Sequence, residues 1–237
     1  MHTFCARRIG AVLTALLACT AMCQGATITF TDGDFAGWTF FDLSSPGSSA
    51  ATTIVGSGNP APCLQVTTVT GPSAFAGGLG TDWDLQAAGA ISRIDASIDV
   101  KSISGWGSGQ GLELVAYQDG RLYGTPCPLW VSVTGPSTSW HTMNFHALTA
   151  AHFAYWPSPD TVVLTQHPNF SATGSPISFG FMAGNNSSGT YRQLYDNWSI
   201  TLTGDFLPAV PEPGSLAMLG IGALGLGAFA WRRRKNG

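Results

Sequence analysis

The sequence predicts an all-β protein, an antiparallel sandwich over residues 27–206, and three observations carry that reading. Apolar and polar residues alternate with period two in short runs, as strands with one buried face require. Gly, Pro, Asn and Asp turn signals fall between those runs. Glycine and proline are abundant, 30 and 14 of 237 residues, whereas the Leu, Glu and Lys runs that build helices are missing.

Residues 1–26 read as a signal peptide. Arg7 and Arg8 form its basic start, Ile9–Ala18 its apolar middle, and Cys23-Gln24-Gly25-Ala26 supplies small residues for a signal peptidase. Leu16-Leu17-Ala18-Cys19 is a loose lipobox, so a lipidated Cys19 is the rival start of the mature chain. The clearest strand follows at Ile94–Val100, where Ile94, Ala96, Ile98 and Val100 share one face. Further strands are expected at Gly111–Gln118, Leu129–Val133, Thr142–His146, Ile177–Ala183 and Trp198–Leu202. Turns are expected at Pro46-Gly47, Gly58-Asn59-Pro60, Gly71-Pro72, Asp119-Gly120, Gly135-Pro136 and Asn185-Asn186. A short helix is expected at Ala147–Ala154. Residues 207–213 form a proline-punctuated, extended linker.

The last element, 214–237, reads as a single membrane-spanning helix with a basic end. Leu216–Trp231 carries no charge and would reach about 24 Å as a helix, just short of a bilayer's hydrocarbon core. Arg232, Arg233, Arg234 and Lys235 follow at once, and such clusters stay cytoplasmic. Everything before them then faces outward, beyond the inner membrane.

Charge narrows the partners. Residues 27–210 hold four cations (Arg93, Lys101, Arg121, Arg192) against twelve acids, a net of −8, although the whole chain is only −3. Four scattered cations make no footprint for nucleic acid. Cys63 and Cys127 are the cysteines left after the signal peptide, and an oxidising compartment favours a disulfide between them. The alternative is two buried thiols.

The tail resembles the PEP-CTERM sorting signal of Gram-negative bacteria. Pro211-Glu212-Pro213, the glycine-rich span and the terminal arginines occur in that family's order. The resemblance implies an exosortase as partner, cleavage near Pro211-Glu212-Pro213, and release or transfer to the cell surface or extracellular polysaccharide. Phe30–Trp38 near the start and Tyr195–Ile200 near the end also resemble the first and last strands of jelly-roll carbohydrate-binding modules. That resemblance implies that the two strands pair and that a structural calcium sits where they meet. Asp32 and Asp34, flanking Gly33, and Asp196 are the candidate ligands, and the alternative is that Asp32-Gly33 makes a turn and Asp196-Asn197 begins a strand.

Trp83, Trp106 and Trp156 read as loop-borne and are the candidates for stacking on sugar rings, with plain packing as the alternative. Trp38, Trp130, Trp140 and Trp198 lie in strand patterns and read as core. Glu113, in Leu112-Glu113-Leu114, reads as a solvated strand residue. No catalytic motif surrounds it, and His141, His146, His152 and His167 fit no ligand spacing. The expected function is therefore non-enzymatic, either glycan binding or a structural role in the envelope or matrix. The alternative is a secreted carbohydrate-active hydrolase on the same sandwich.

Overall fold

The computed structural model describes residues 25–71, 73–104, 110–126, 131–132, 139–185 and 188–206. The sequence readings at the signal peptide, Trp106, Cys127, Trp130, the linker, Pro211-Glu212-Pro213 and the basic tail therefore lie outside the described residues. The chain divides after Phe206, and the unit up to Phe206 is the sandwich.

Fourteen strands are described: β1 (Ala26–Asp32), β2 (Thr39–Asp42), β3 (Ser49–Val55), β4 (Cys63–Thr70), β5 (Ala74–Trp83), β6 (Gly89–Ser104), β7 (Gln110–Gln118), β8 (Arg121–Gly124), β9 (Val131–Ser132), β10 (His141–Leu148), β11 (Ala154–Ser158), β12 (Thr161–Val163), β13 (Ile177–Asn185) and β14 (Gly189–Phe206). One short helix, α1 (Leu85–Ala88), starts at an Asp84 cap whose side chain accepts the Gln86 and Ala87 N–H groups. Ala150–His152 is a single 3-10 turn, shorter than the helix expected at Ala147–Ala154. Among the described residues, no helix is long and apolar enough to cross a membrane.

The strands form two antiparallel sheets. The six-stranded sheet runs β10-β6-β14-β4-β3, with β1 also on β14. The eight-stranded sheet runs β12-β11-β8-β7-β13-β5-β2, with β9 on β7. Inward residues of both meet in one core: Ile94, Ala96, Ile98 and Val100 of β6 face Leu112, Leu114, Phe179 and Phe181 of β7 and β13. The alternation in β6 thus marks its buried face as expected.

Aromatic packing closes the core at the β1–β2 end. Trp38 meets Trp198 edge-on at 5.7 Å and Phe35 at 5.0 Å. Its indole lies flat over β5, where a Cβ on Gly80 would stand 2.0 Å from the ring. Only glycine permits that approach. Asp119-Gly120 joins β7 to β8 with both residues left-handed, φ 52° and 74°, the two-residue hairpin geometry that Asp-Gly favours.

The last strand organises the six-stranded sheet. β14 pairs with β6 along nearly its whole length. On its other edge it pairs first with β4, up to Tyr195, and then with β1, from Trp198 on. The first and last described strands therefore lie side by side, as the resemblance implied. Between β4 and β1 the edge at Asp196 and Asn197 is left open, and a register shift against β6 falls at the same place. Asn197 is left-handed there, φ 51°, which lets the bulge form. The loop leading into Cys63 fills the gap.

Candidate functional site

Two places gather polar groups that the fold alone does not require. The first is the gap beside Asp196. This residue is fully buried, and its carboxylate accepts the backbone N–H of Asn197 at 2.7 Å and that of Asn59. The Asn197 amide donates to Asn59 O at 2.7 Å and to Asp99 Oδ2 at 2.9 Å, fastening the loop to the bulge.

Asp32 and Asp34 lie toward the same end, and like Asp196 their carboxylates accept hydrogen bonds from the chain. Asp32 accepts the Asp34 and Phe35 N–H groups at 3.0 and 2.8 Å and the Trp38 indole N–H at 2.8 Å. Asp34 accepts the Ala36 N–H at 2.9 Å. Among the described residues, no three His, Cys, Asp or Glu side chains come together as a metal set. The candidate trio of Asp32, Asp34 and Asp196 is therefore not assembled, because two of its members close the turn between β1 and Trp38.

A different oxygen set forms instead. A Cβ on Gly58 would lie 2.4 Å from Pro60 O, 2.6 Å from Pro62 O and 2.7 Å from Asp196 Oδ2. Three oxygens thus crowd the space that Gly58 leaves empty, two of them carbonyls and one a carboxylate. This is the donor chemistry that a hard cation such as calcium takes, from bent loops rich in backbone oxygen. A neighbouring surface depression, which shares Pro60 and Pro62, is lined also by Thr31, Asp32, Gly33, Asp34 and Ala61.

Cys63 sits at the edge of this cluster as a buried, free thiol. No disulfide is formed among the described residues, and Cys127, the expected partner, lies outside them. Burial pushes the Cys63 thiol up, hydrogen bonding with Ser57 pulls it partly back, and the Asp196 carboxylate adds to the rise. Such a thiol is poorly nucleophilic.

The second place is the outer face of the eight-stranded sheet, the side turned away from the core. It carries a cluster of its own, Phe75, Val115, Trp156 and Met182, with Phe41, Leu43, Leu79, Leu122 and Val162 packed around it. Glu113 belongs to this face. It alternates away from the core, as its strand pattern predicts, yet it is not solvated: it is 2% exposed. Its Oε2 has no hydrogen-bond partner among the described residues, and neither has the Trp156 indole N–H. Burial raises the Glu113 carboxyl well above the usual carboxylate range.

The tryptophans that are candidates for stacking on sugars are corrected by their burial. Trp83 is 7% exposed and Trp156 is 8% exposed, so neither offers a free face. Trp83 packs between Phe30 and Phe206 and donates to Gly89 O at 3.1 Å. Trp156 meets Phe75 edge-on at 5.6 Å. Of the four expected core tryptophans, Trp38 and Trp198 are buried. Trp140 is half-buried, with Lys101 Nζ 6.0 Å from its ring centre.

The aromatic residue that does present itself is Tyr117, two positions beyond Val115 on the same face and 42% exposed. It forms one wall of an apolar depression of about 360 Å³ with Phe41, Leu43, Leu79 and Leu122, edged by Asp42. It is also a wall of an adjoining groove of mixed lining, with Asp82, Asp84, Gln118, Asp119 and Ser178 beside Trp83, Pro176 and Ile177. Residue-by-residue reading passed Tyr117 over because it sits in a regular strand. Its position next to Asp119-Gly120, at the strand's end, was the available signal.

Comparison with known proteins adds the following. Residues 209–235 match the PEP-CTERM protein-sorting motif, which marks an exported, surface-sorted protein. No curated protein matches the chain in sequence. Among solved structures, it is similar to the family 11 carbohydrate-binding module of cellulosomal cellulase Lic26A-Cel5E of Clostridium thermocellum, at 21% identity and TM-score 0.45, over 76% of this chain and 96% of that one. A family 11 module from Clostridium thermocellum in complex with a β-1,3-1,4-mixed-linked tetrasaccharide is similar at 19% identity and TM-score 0.46, over 74% and 95%. The CBM22-1 xylan-binding domain from Paenibacillus barcinonensis Xyn10C is similar at 14% identity and TM-score 0.39, over 78% and 99%.

Proposed function

We propose that this exported protein binds a neutral extracellular polysaccharide, without catalysis, through the outer face of its eight-stranded sheet. The exposure of Tyr117 carries the reading. A flat ring standing between an apolar depression and an acidic groove gives a sugar both things it needs: an aromatic face for its C–H groups and acceptors for its hydroxyls. Asp42, Asp82 and Asp119 are acceptors only, and they repel anionic chains, so a neutral glycan is the matching class.

The tail sets where this happens. In this reading a signal peptidase removes 1–26, and 214–237 holds the chain transiently in the inner membrane of a Gram-negative cell. An exosortase then cuts near Pro211-Glu212-Pro213 and passes the domain to the surface or the extracellular matrix. A structural calcium belongs to the same proposal, held by Asp196 Oδ2 and the carbonyls of Pro60 and Pro62. Its contribution is to lock the loop before β4 against the β14 bulge.

The test is affinity electrophoresis of the exported protein through gels containing β-glucan, xylan, galactan or mannan. One of these should retard the wild type, and Tyr117→Ala should abolish the retardation while leaving the circular dichroism unchanged. No retardation by any neutral polysaccharide would leave only the structural role. Release of reducing ends from a retained polysaccharide would establish the hydrolase instead.

A further inference from the structure

The outer face of the eight-stranded sheet is roofed at one end. In the strand order, β11 and β5 stand four steps apart, which in a flat sheet is about 19 Å at about 4.8 Å per strand. Yet the Trp156 ring on β11 lies 5.6 Å from the Phe75 ring on β5. Short side chains meet across the same span. Asp160, in the turn between β11 and β12, accepts the Ser73 hydroxyl at 3.2 Å, just before β5, and the buried Ser45 hydroxyl at 2.6 Å, just after β2. The sheet is therefore curled, and the β11–β12 hairpin is strapped over its outer face from one edge toward the other.

Register puts this strap at one end of a trough. Tyr117, Ser178 and Asp82 lie side by side on β7, β13 and β5. That row is open, with Tyr117 standing between the apolar depression and the adjoining groove of about 560 Å³. Four residues further along β13, about 13 Å on an extended strand, Met182 is buried with Trp156 and Phe75, and Val162 of β12 packs on them. That row is shut. Phe41, Leu43, Leu79 and Leu122 line the apolar depression and also pack against this buried cluster, so the depression ends at the strap.

We propose that the trough takes chain ends: its ligand is the terminal segment of a neutral polysaccharide, seated with its last sugar in the apolar depression and the following sugars passing Tyr117 toward Asp82. The inference rests on the glycan reading of the same face and adds which part of the polymer is bound. A saccharide that fills both depressions runs along the strands and stops against the strap. An interior segment needs an exit at each end, and along the strands this trough has one.

The experiment counts binding sites by isothermal titration of the full exported chain with whichever of β-glucan, xylan, galactan or mannan retards it, intact and after partial hydrolysis to about a tenth of the length. Hydrolysis keeps the mass and multiplies the ends. Sites per gram should rise about tenfold for a pocket closed on one side, whereas an open groove finds the same number of sites in the same mass. Tyr117→Ala should remove the heat of binding with both preparations, which assigns the counted sites to the trough. If sites per gram stay level and Tyr117→Ala still removes them, the face binds interior segments, the strap is no stop, and the inference is overturned while the glycan reading stands. If Tyr117→Ala binds like the wild type, or if no polysaccharide retards the wild type, the glycan reading of this face and the chain-end inference fall together.

Discussion

Replacing Glu113 by Gln should make the protein more stable at neutral pH and leave its stability in acid nearly unchanged. Glu113 is 2% exposed, and burial alone drives its carboxyl upward from an ordinary value of 4.5. The sign follows from proton counts. A carboxyl raised in the folded state binds more protons folded than unfolded, so its favourable state exists below 4.5 and is lost as pH rises toward the folded value. Each pH unit above 4.5 at which the folded carboxyl stays protonated costs about 1.4 kcal/mol. The ceiling at pH 7 is then about 3 kcal/mol. Gln has the same shape and no proton to lose, which removes this term. For a domain of this size, about 3 kcal/mol corresponds to roughly 6–12 °C in melting temperature. Melts of both proteins between pH 4 and pH 8 should converge at the acid end and diverge steadily above it. Parallel curves, or a Gln variant that melts lower at pH 8, would refute the idea that an uncompensated buried carboxyl sits on this face.

Three other outcomes are expected. Calcium should raise the melting temperature of the wild type, chelation should reverse the rise, and Asp196→Ala should abolish it while costing about 3 kcal/mol through the stranded Asn59 and Asn197 N–H groups; a calcium response that survives Asp196→Ala puts the ion elsewhere. Gly80→Ala should destabilise by about 1–3 kcal/mol in urea unfolding, because its methyl would land 2.0 Å from the Trp38 indole; a neutral effect would mean that the indole moves freely. Asn197→Ala should cost about 2 kcal/mol, since it loses bonds to Asn59 O and Asp99 Oδ2 and places alanine at φ 51°; equal midpoints for the two proteins would show that the bulge does not need its amide.

The sandwich was legible because its signals are local. Alternation in β6 reads directly onto the core, and Asp119-Gly120 encodes a left-handed hairpin turn that few other dipeptides adopt. The pairing of the first and last described strands was legible only through the resemblance, since no local pattern names a strand's partner. The site was much less readable. Period two states which side of a sheet Glu113 occupies but not what lies over that side, and here a second apolar cluster covers it. Trp83 and Trp156 follow the packing alternative for the same reason: polar or proline neighbours in sequence do not prevent burial by distant aromatics. Asp32 and Asp34 look like cation ligands until the turn they close is seen. The carbonyls of Pro60 and Pro62 carry no side-chain signature at all.

The final strand also fixes how the domain carries load. β14 runs into Phe206 and from there into the sorting segment, and it is bonded along both edges, to β6 on one side and to β4 and then β1 on the other. A force applied at Phe206 would enter along this strand. Its flanking ladders are then strained lengthwise, many bonds together, rather than unzipped one by one. A strand bonded along both edges in this way is the best-anchored element of the six-stranded sheet.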